Sequence, residues 1–502
     1  MELLTDRYSK RISGVLSCYD RIVLSGTLPE LCHSHGMTGY LYRHSIRIFD
    51  YAKFAEPFRE EIRANAEGLA SEWGLEIEFI RKAGKVRKES LVAKVLAERG
   101  DHPGLVHILS VMESCPSYRP WHDKGSGKTF LQGTQGKCLH YYFYFIDELL
   151  GLCYVRVPTW CPFRLQIYFN GHNWLASKLD EAGIGYELKD NAFFQIEDWQ
   201  AAQEIADKLS VEQLHGILDG FAQQFCPVYK HFGQVYHWSI MQAEYATDIV
   251  FKRQADLQKI YPQLIETAIH TVKPQNIATF LGKKLHGNYQ DQMGNRYNVR
   301  LEGSRIKHHM GKNAIKMYDK YKQILRIETT TNDVSFFKHY RNVEHRDGST
   351  STKMASMKKN IYSLKPLKKC LLAANRRYLE FISAIEDRSI GTRRLKQVTQ
   401  TVKQKDRNYK GFNFFEQHDH DLFEVLASGE FNISGFRAKD LKRKMPAKSA
   451  SQIYRIIKRL RNHHLLKKVR NSYKYYLTKL GTITIINALK IKELVFIPQY
   501  CY

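Results

Sequence analysis

The chain has 502 residues, 43% of them hydrophobic and 25% charged, with 77 Lys and Arg against 51 Asp and Glu for a net charge of +26. That balance excludes a disordered polyelectrolyte and fits roughly two to four folded domains. No apolar run approaches the ~20 residues of a membrane span, so the basic excess points to a polyanion partner, nucleic acid first, and away from a membrane.

Nine cysteines are scattered with no C-x-x-C pair. This pattern suggests a reducing, cytoplasmic setting without disulfides or a zinc knuckle. The N-terminus, MELLTDRYSKR, lacks the charged-then-apolar pattern of a secretory signal. Thirty tyrosines suit base stacking and half-buried sheets alike, and both readings stay open here.

Residues 1–135 read as an N-terminal α/β region. A strand spans Asp20 to Pro29, a helix Phe49 to Trp73, a strand Leu75 to Ile80 and a helix Ser90 to Glu98. An apolar run covers Gly104 to Met112. Gly125-Ser126-Gly127-Lys128-Thr129 ends like a phosphate-binding loop, but His122 stands where that loop needs glycine. The segment is therefore read as a surface loop.

Residues 136–290 read as a β-meander followed by a helical region. Three aromatic, β-branched runs lie between Cys138 and Phe169 at hairpin spacing, and a helix follows Asn170. Asp147, His172 and Asn173 are read as turn formers. From His237 to Val272 the chain carries a helical period broken at Pro262, with Ile240, Tyr245 and Ile249 as a core stripe. Tyr236 and Tyr245 would be nucleophiles only beside a metal.

Residues 291–390 read as a β-rich basic region with a helix. Strands are predicted at Asn298–Met310, Ala314–Lys320 and Ile324–Thr330. In the second, Ile315, Met317 and Asp319 share one face and Lys316, Tyr318 and Lys320 the other. Antiparallel pairing would gather Lys316, Tyr318, Lys320, Arg326 and Glu328 into one polar cluster. With Arg305 and Lys307 these form a predicted second nucleic-acid surface. Asp319, Glu328, Asp333, Glu344, His345 and Asp347 lie close in sequence, and paired carboxylates hold Mg²⁺ in phosphoryl chemistry. Asp319 and Glu328 are the catalytic candidates, although the alternation puts them on opposite faces.

Gly348 to Lys359 reads as a flexible loop. Residues 391–411 read as a basic linker or DNA-tracking arm carrying Arg393, Arg394, Lys396, Lys403, Lys405, Arg407 and Lys410.

Residues 412–502 hold the most legible pattern. A helix over Arg437–Met445 stops at Pro446. Ser449 caps a second helix, in which Ile453, Ile456, Ile457 and Leu460 recur at helical spacing. A basic hairpin follows, turning at Asn471-Ser472. From Phe436 to Lys479 there are 15 Lys and Arg against one acid, Asp440.

Helix, turn, basic amphipathic helix and β-ribbon in that order resemble a winged helix-turn-helix of MarR-like type over about the last 90 residues. The resemblance implies a helix in the DNA major groove, with Lys448, Ser449, Ser451, Gln452, Arg455, Lys458 and Arg459 at the duplex and Arg470 and Lys474 on the wing. Separately, K-x-Y-D-K followed by L-R-I-E, over 315–328, resembles rolling-circle replication initiators. Those need a His-hydrophobe-His strand and a catalytic Tyr. His418-Asp419-His420 and His33-Ser34-His35 do not supply that motif.

The fold class predicted is α+β and multidomain: a mixed or antiparallel sheet body with helices, plus a C-terminal winged helix-turn-helix. The function predicted is DNA binding, as a transcriptional regulator. A mobile-element or replicon enzyme and an RNA-binding protein remain as alternatives. No metal or cofactor is assigned, save Mg²⁺ if the body is catalytic, and a homodimer stays open.

Overall fold

The aromatic and β-branched runs of residues 12–331 form strands β1 (Ile12–Thr27), β2 (Ile77–Ile80), β3 (Gly104–Asp123), β4 (Lys128–Asp147), β5 (Gly151–Pro158) and β6 (Leu165–Asn170), then a small hairpin, β7 (Tyr186–Lys189) with β8 (Ala192–Ile196). They continue as β9 (His237–Phe251), β10 (Met293–Arg300), β11 (Gly303–Met310), β12 (Asn313–Lys320) and β13 (Ile324–Thr331). Apart from β7 and β8, they join one eleven-stranded sheet in the order β10-β11-β12-β13-β9-β1-β6-β5-β4-β3-β2. The β2–β3 pairing is parallel and the other pairings are antiparallel. The molecule is thus mixed α+β with a large mixed sheet.

The structure is a computed structural model that describes residues 3–81, 87–285, 293–300, 303–386, 388–404, 406–428, 431, 435–470, 472–492 and 496–497. It divides into two units, Met1–Glu386 and Asp387–Tyr502. The three regions read in the first unit share the one sheet. Among the described residues, no helix is long and apolar enough to cross a membrane.

Several segments differ from the sequence reading. His237–Phe251 is a strand, not a helix, and lies between β1 and β13. A central strand buried on both faces reads as an almost unbroken apolar run, which periodicity alone does not separate from a helix. Pro262 breaks nothing: it opens helix α3 below, where its missing N–H costs no hydrogen bond. Asn298–Met310 is two strands, β10 and β11, paired from Met293↔Met310 to Arg300↔Gly303; Leu301 and Glu302 lie outside the described residues. The loop read at 348–359 holds β15 (Thr350–Ser356), paired with β14 (Lys338–Glu344).

Helices cover the sheet: α1 (Tyr51–Glu72), α2 (Gly171–Glu181), α3 (Tyr261–Thr271) and α4 (Leu364–Glu386). One face of β9, β12 and β13 presents Ile249, Phe251, Ile315, Met317, Leu325 and Ile327 to Leu264, Tyr378 and Ile382 of α3 and α4. Burying each such side chain contributes about 1.5–3 kcal/mol. The opposite face of the same strands is polar, and it forms the site described below.

The second unit contains α5 (Arg388–Thr399), the hairpin β16 (Val402–Gln404) with β17 (Arg407–Tyr409), α6 (Gln417–Ala427), α7 (Ala438–Lys444), α8 (Ala450–Asn462), the hairpin β18 (Leu466–Lys468) with β19 (Tyr475–Leu477), and α9 (Lys479–Ile491). Residues 391–411 are therefore not a linker: Val398 and Phe412 are buried with Leu422, Phe436, Ile457 and Leu465 in one core. Lys405 and Asn471, and the side chain of Arg393, lie outside the described residues.

Candidate functional site

Strand alternation places every second side chain of β9, β12 and β13 on one face. On that face Asp248 pairs in register with Arg326, and Arg326 with Tyr318. Lys316 lies opposite Glu328. The polar cluster predicted on β12 and β13 thus forms, but it is not a surface. Arg326 is fully buried, Glu328 nearly so, and Lys316 retains 12% side-chain exposure. The proposed nucleic-acid role of Lys316 and Arg326 is corrected accordingly: both are engaged inside the protein by carboxylates.

Two groups stand in this cluster. In the first, Arg326 Nε and Nη2 each lie 2.6 Å from an Asp248 oxygen, and Nη1 is 3.4 Å from Asp20 Oδ2. Asp20 Oδ1 accepts from Asn170 at 3.1 Å and Asn191 at 2.5 Å, and stands 3.2 Å from His172 Nδ1. His172 is not a mere turn former, for it is buried and its Nε2 is 3.2 Å from Arg326 Nη2. Asn170 caps α2 by accepting from His172 N at 2.8 Å. Gly171 lets α2 approach β1: a Cβ there would stand 2.2 Å from Tyr19 O. Burial pushes Asp248 up, yet Arg326 and His172 together outweigh it and bring the carboxyl to about 2. Asp20 is held well below the carboxylate range against its burial, by Arg326 and His172.

In the second group, Lys316 Nζ lies 3.0 Å from Glu244 Oε1 and 2.5 Å from Glu328 Oε1. Tyr318 donates to Glu328 Oε2 at 2.6 Å, and Thr330 donates to Glu244 Oε1 at 3.1 Å. Burial and the neighbouring Glu328 raise Glu244 to about 7, with Lys316 opposing. Burial and Asp20 push Glu328 up, but Lys316 and the Tyr318 hydroxyl together overcome them and lower that carboxyl.

Carboxylate oxygens of Asp20, Glu244 and Glu328 lie within 4.8 Å of one another. Three hard oxygen donors at that spacing match what Mg²⁺ or Mn²⁺ takes, with Lys316 as the cation already among them. No family model, curated protein or solved structure matches the chain. The chemistry of its sites is therefore read from this geometry alone.

Of the catalytic candidates, Glu328 joins the carboxylate group and Asp319 does not. Asp319 points to the opposite, helix-covered face; its Oδ2 accepts from Gln258 at 3.3 Å, and burial raises its carboxyl. Asp333 caps a turn by accepting from Ser335 N, and Asp347 does the same for Ser349 N. Asp20, Glu244 and Asp248 escaped the sequence reading. The signal was there: isolated acids inside apolar runs, which a buried strand carries only when they are paired.

Tyr236 and Tyr245 are buried and donate to the carbonyls of Phe163 and Ser17. Of the Gly125–Thr129 segment, Gly125, Ser126 and Gly127 lie in the exposed turn between β3 and β4, where Asp123 accepts from Gly125 N at 3.1 Å, and Lys128 and Thr129 begin β4.

In the second unit, Ser449 caps α8 and shares a capping box with Gln452: Ser449 N donates to Gln452 Oε1 at 2.6 Å. Ile453, Ile456, Ile457 and Leu460 face the core. Ser451, Gln452, Tyr454, Arg455 and Arg461 are exposed, and Lys448 and Lys458 are half-buried. Arg459 is corrected: it holds Asp419 at 2.7 and 2.8 Å, donates to the carbonyls of Lys410 and Gly411, and covers the Phe412 ring. On the second hairpin Lys467, Lys468 and Arg470 are exposed and Lys474 is half-buried.

Proposed function

We propose that the protein binds duplex DNA through residues 387–502, which act as a winged helix-turn-helix. The observation that carries this reading is the outer face of α8. Its first two turns present Ser451, Gln452, Tyr454 and Arg455 together, with no buried role beyond the capping box. A helix of this width enters a major groove, and residues near its N-terminus reach base edges. Lys467, Lys468 and Arg470 add exposed cations on and just beyond β18, of the kind that phosphate contacts use. The unit carries 25 Lys and Arg against 9 Asp and Glu, which makes it the chief source of the chain's positive charge.

The activity read here is site recognition in transcriptional control. The test is selection of bound fragments from genomic DNA by the purified full-length protein, followed by footprinting across a salt series. One protected sequence, with affinity falling steeply as salt rises, supports the reading. Preference for single-stranded RNA at equal salt would replace it.

A second reading, a metal-dependent DNA-processing enzyme, is favoured by the convergence of Asp20, Glu244 and Glu328. Carboxylate-held Mg²⁺ or Mn²⁺ activates water and stabilises charge on a phosphate under attack. It predicts Mn²⁺-dependent cleavage of labelled DNA that Glu328→Gln abolishes.

A further inference from the structure

The tips of two hairpins in the first unit face one another across a cleft of about 640 Å³. Lys189 ends β7 and Asp190 and Asn191 turn into β8, while Lys320 ends β12 and Tyr321 and Lys322 lie in the turn toward β13. Three of these residues, Asp190, Tyr321 and Lys322, hold left-handed backbone with φ of 51°, 52° and 60°. Non-glycine residues adopt that conformation rarely, and the tight turns of these two hairpins account for it. Tyr321 donates its hydroxyl to Asp190, which ties the two tips together.

Four cationic side chains, Lys189, Arg305, Lys320 and Lys322, and three carboxylates, Glu187, Asp190 and Asp319, line the cleft. Among the described residues, no carboxylate lies within ion-pair distance of Lys189, Lys320 or Lys322. Lys189 and Lys320 sit over the same Tyr321 ring, at 5.0 and 5.4 Å, and Lys320 otherwise meets only the neutral Asn191 amide. Of the acids in the lining, Asp190 receives Tyr321, Asp319 accepts from Gln258 through Oδ2 and feels Lys322, and Glu187 is exposed. Burial and Arg326 bring Lys320 down to about 8, against the opposing pull of Asp20, Asp248 and Asp190. Phe194 and Tyr321 add an aromatic wall, their rings 5.4 Å apart. The volume falls within the range of about 300–1,000 Å³ usual for small-ligand sites.

We propose that this cleft binds a nucleoside monophosphate group, its phosphate among Lys189, Lys320 and Lys322 and its base against the Tyr321–Phe194 wall. The group is supplied either by a free nucleotide or by the phosphorylated end of a strand. This site is built from residues of the first unit, and the α8 face from residues of the second.

The test is calorimetric titration of the full-length protein with dAMP, with inorganic phosphate and with a 5′-phosphorylated tetranucleotide. Saturable binding of a nucleotide probe, stronger than that of phosphate, is expected. The double variant K189E/K322E changes two exposed side chains and should weaken it at least about tenfold, near 1.4 kcal/mol, with unchanged circular dichroism. Lys320→Gln should weaken it as well, and Arg455→Ala should leave it as it was. Equal affinity for dAMP and the tetranucleotide assigns the site to the free nucleotide; tighter binding of the tetranucleotide assigns it to a strand end. The proposal is overturned if no nucleotide probe binds at about 5 mM, if phosphate alone binds as well, or if K189E/K322E binds like the parent.

Discussion

Arg326 and Asp248 meet as a two-pronged ion pair in the middle of the sheet, both guanidinium contacts at 2.6 Å, with neither side chain more than 2% exposed. Removing the arginine leaves Asp20 and Asp248 buried beside each other without their main counter-charge. Arg326→Met is therefore expected to cost about 3–5 kcal/mol, the usual range for breaking one half of a buried pair. Arg326→Lys should rescue little, because a single ammonium does not span both oxygens. Urea unfolding of the full chain measures both.

A pH effect follows from Glu244. Its carboxyl is raised from 4.5 to about 7 in the folded chain. Below pH 4.5 both states hold the proton. As pH climbs toward 7 the unfolded chain releases it and the native chain does not, so this contribution to stability is lost over that window. Glu244→Gln should flatten the decline between pH 5 and 7 by up to about 3 kcal/mol. A decline as steep as the parent's, in melts across that range, refutes the assignment.

Arg455 and Arg459 stand on one helix and should separate cleanly. Arg455 is exposed, whereas Arg459 grips the buried Asp419. Arg455→Ala should leave the melting temperature unchanged and weaken binding to a selected site by about 1–3 kcal/mol. Equal weakening on random duplex would make it a phosphate contact instead. Arg459→Ala should destabilise the second unit by about 2–4 kcal/mol through the uncompensated aspartate. Gel shifts and thermal melts on the same two variants decide this.

Gly171→Ala should push α2 away from β1, since the new methyl would meet the Tyr19 carbonyl. Overpacking of that kind costs about 1–3 kcal/mol. It should also lengthen the His172–Asp20 contact, visible as a changed imidazole signal in ¹H–¹⁵N spectra. An unaltered signal would show that the helix start tolerates a side chain.

The sequence disclosed local order better than partnership. Ser449, the isoleucine stripe of α8 and the alternation of β12 were legible because capping and period are properties of neighbouring residues. Lys316 opposite Glu328 followed from the same alternation. What alternation does not reveal is how deep a face lies: Arg326 read as a binding surface although His172 of α2 and the Asn191 carbonyl cover it, and Lys316 although Glu244 and Glu328 hold it. Asp20, Glu244 and Asp248 come from strands far apart in the chain, so no local pattern joins them. Arg459 looked like its neighbour Arg455 because its partner, Asp419, lies 40 positions away.

The position of β9 governs how this protein can be shortened. It is flanked by β1, from the start of the chain, and by β13, which comes after it. A fragment ending near residue 290 would keep β9 with one rim bare, ready to recruit any extended peptide. Expression trials should therefore cut near 386 or not at all.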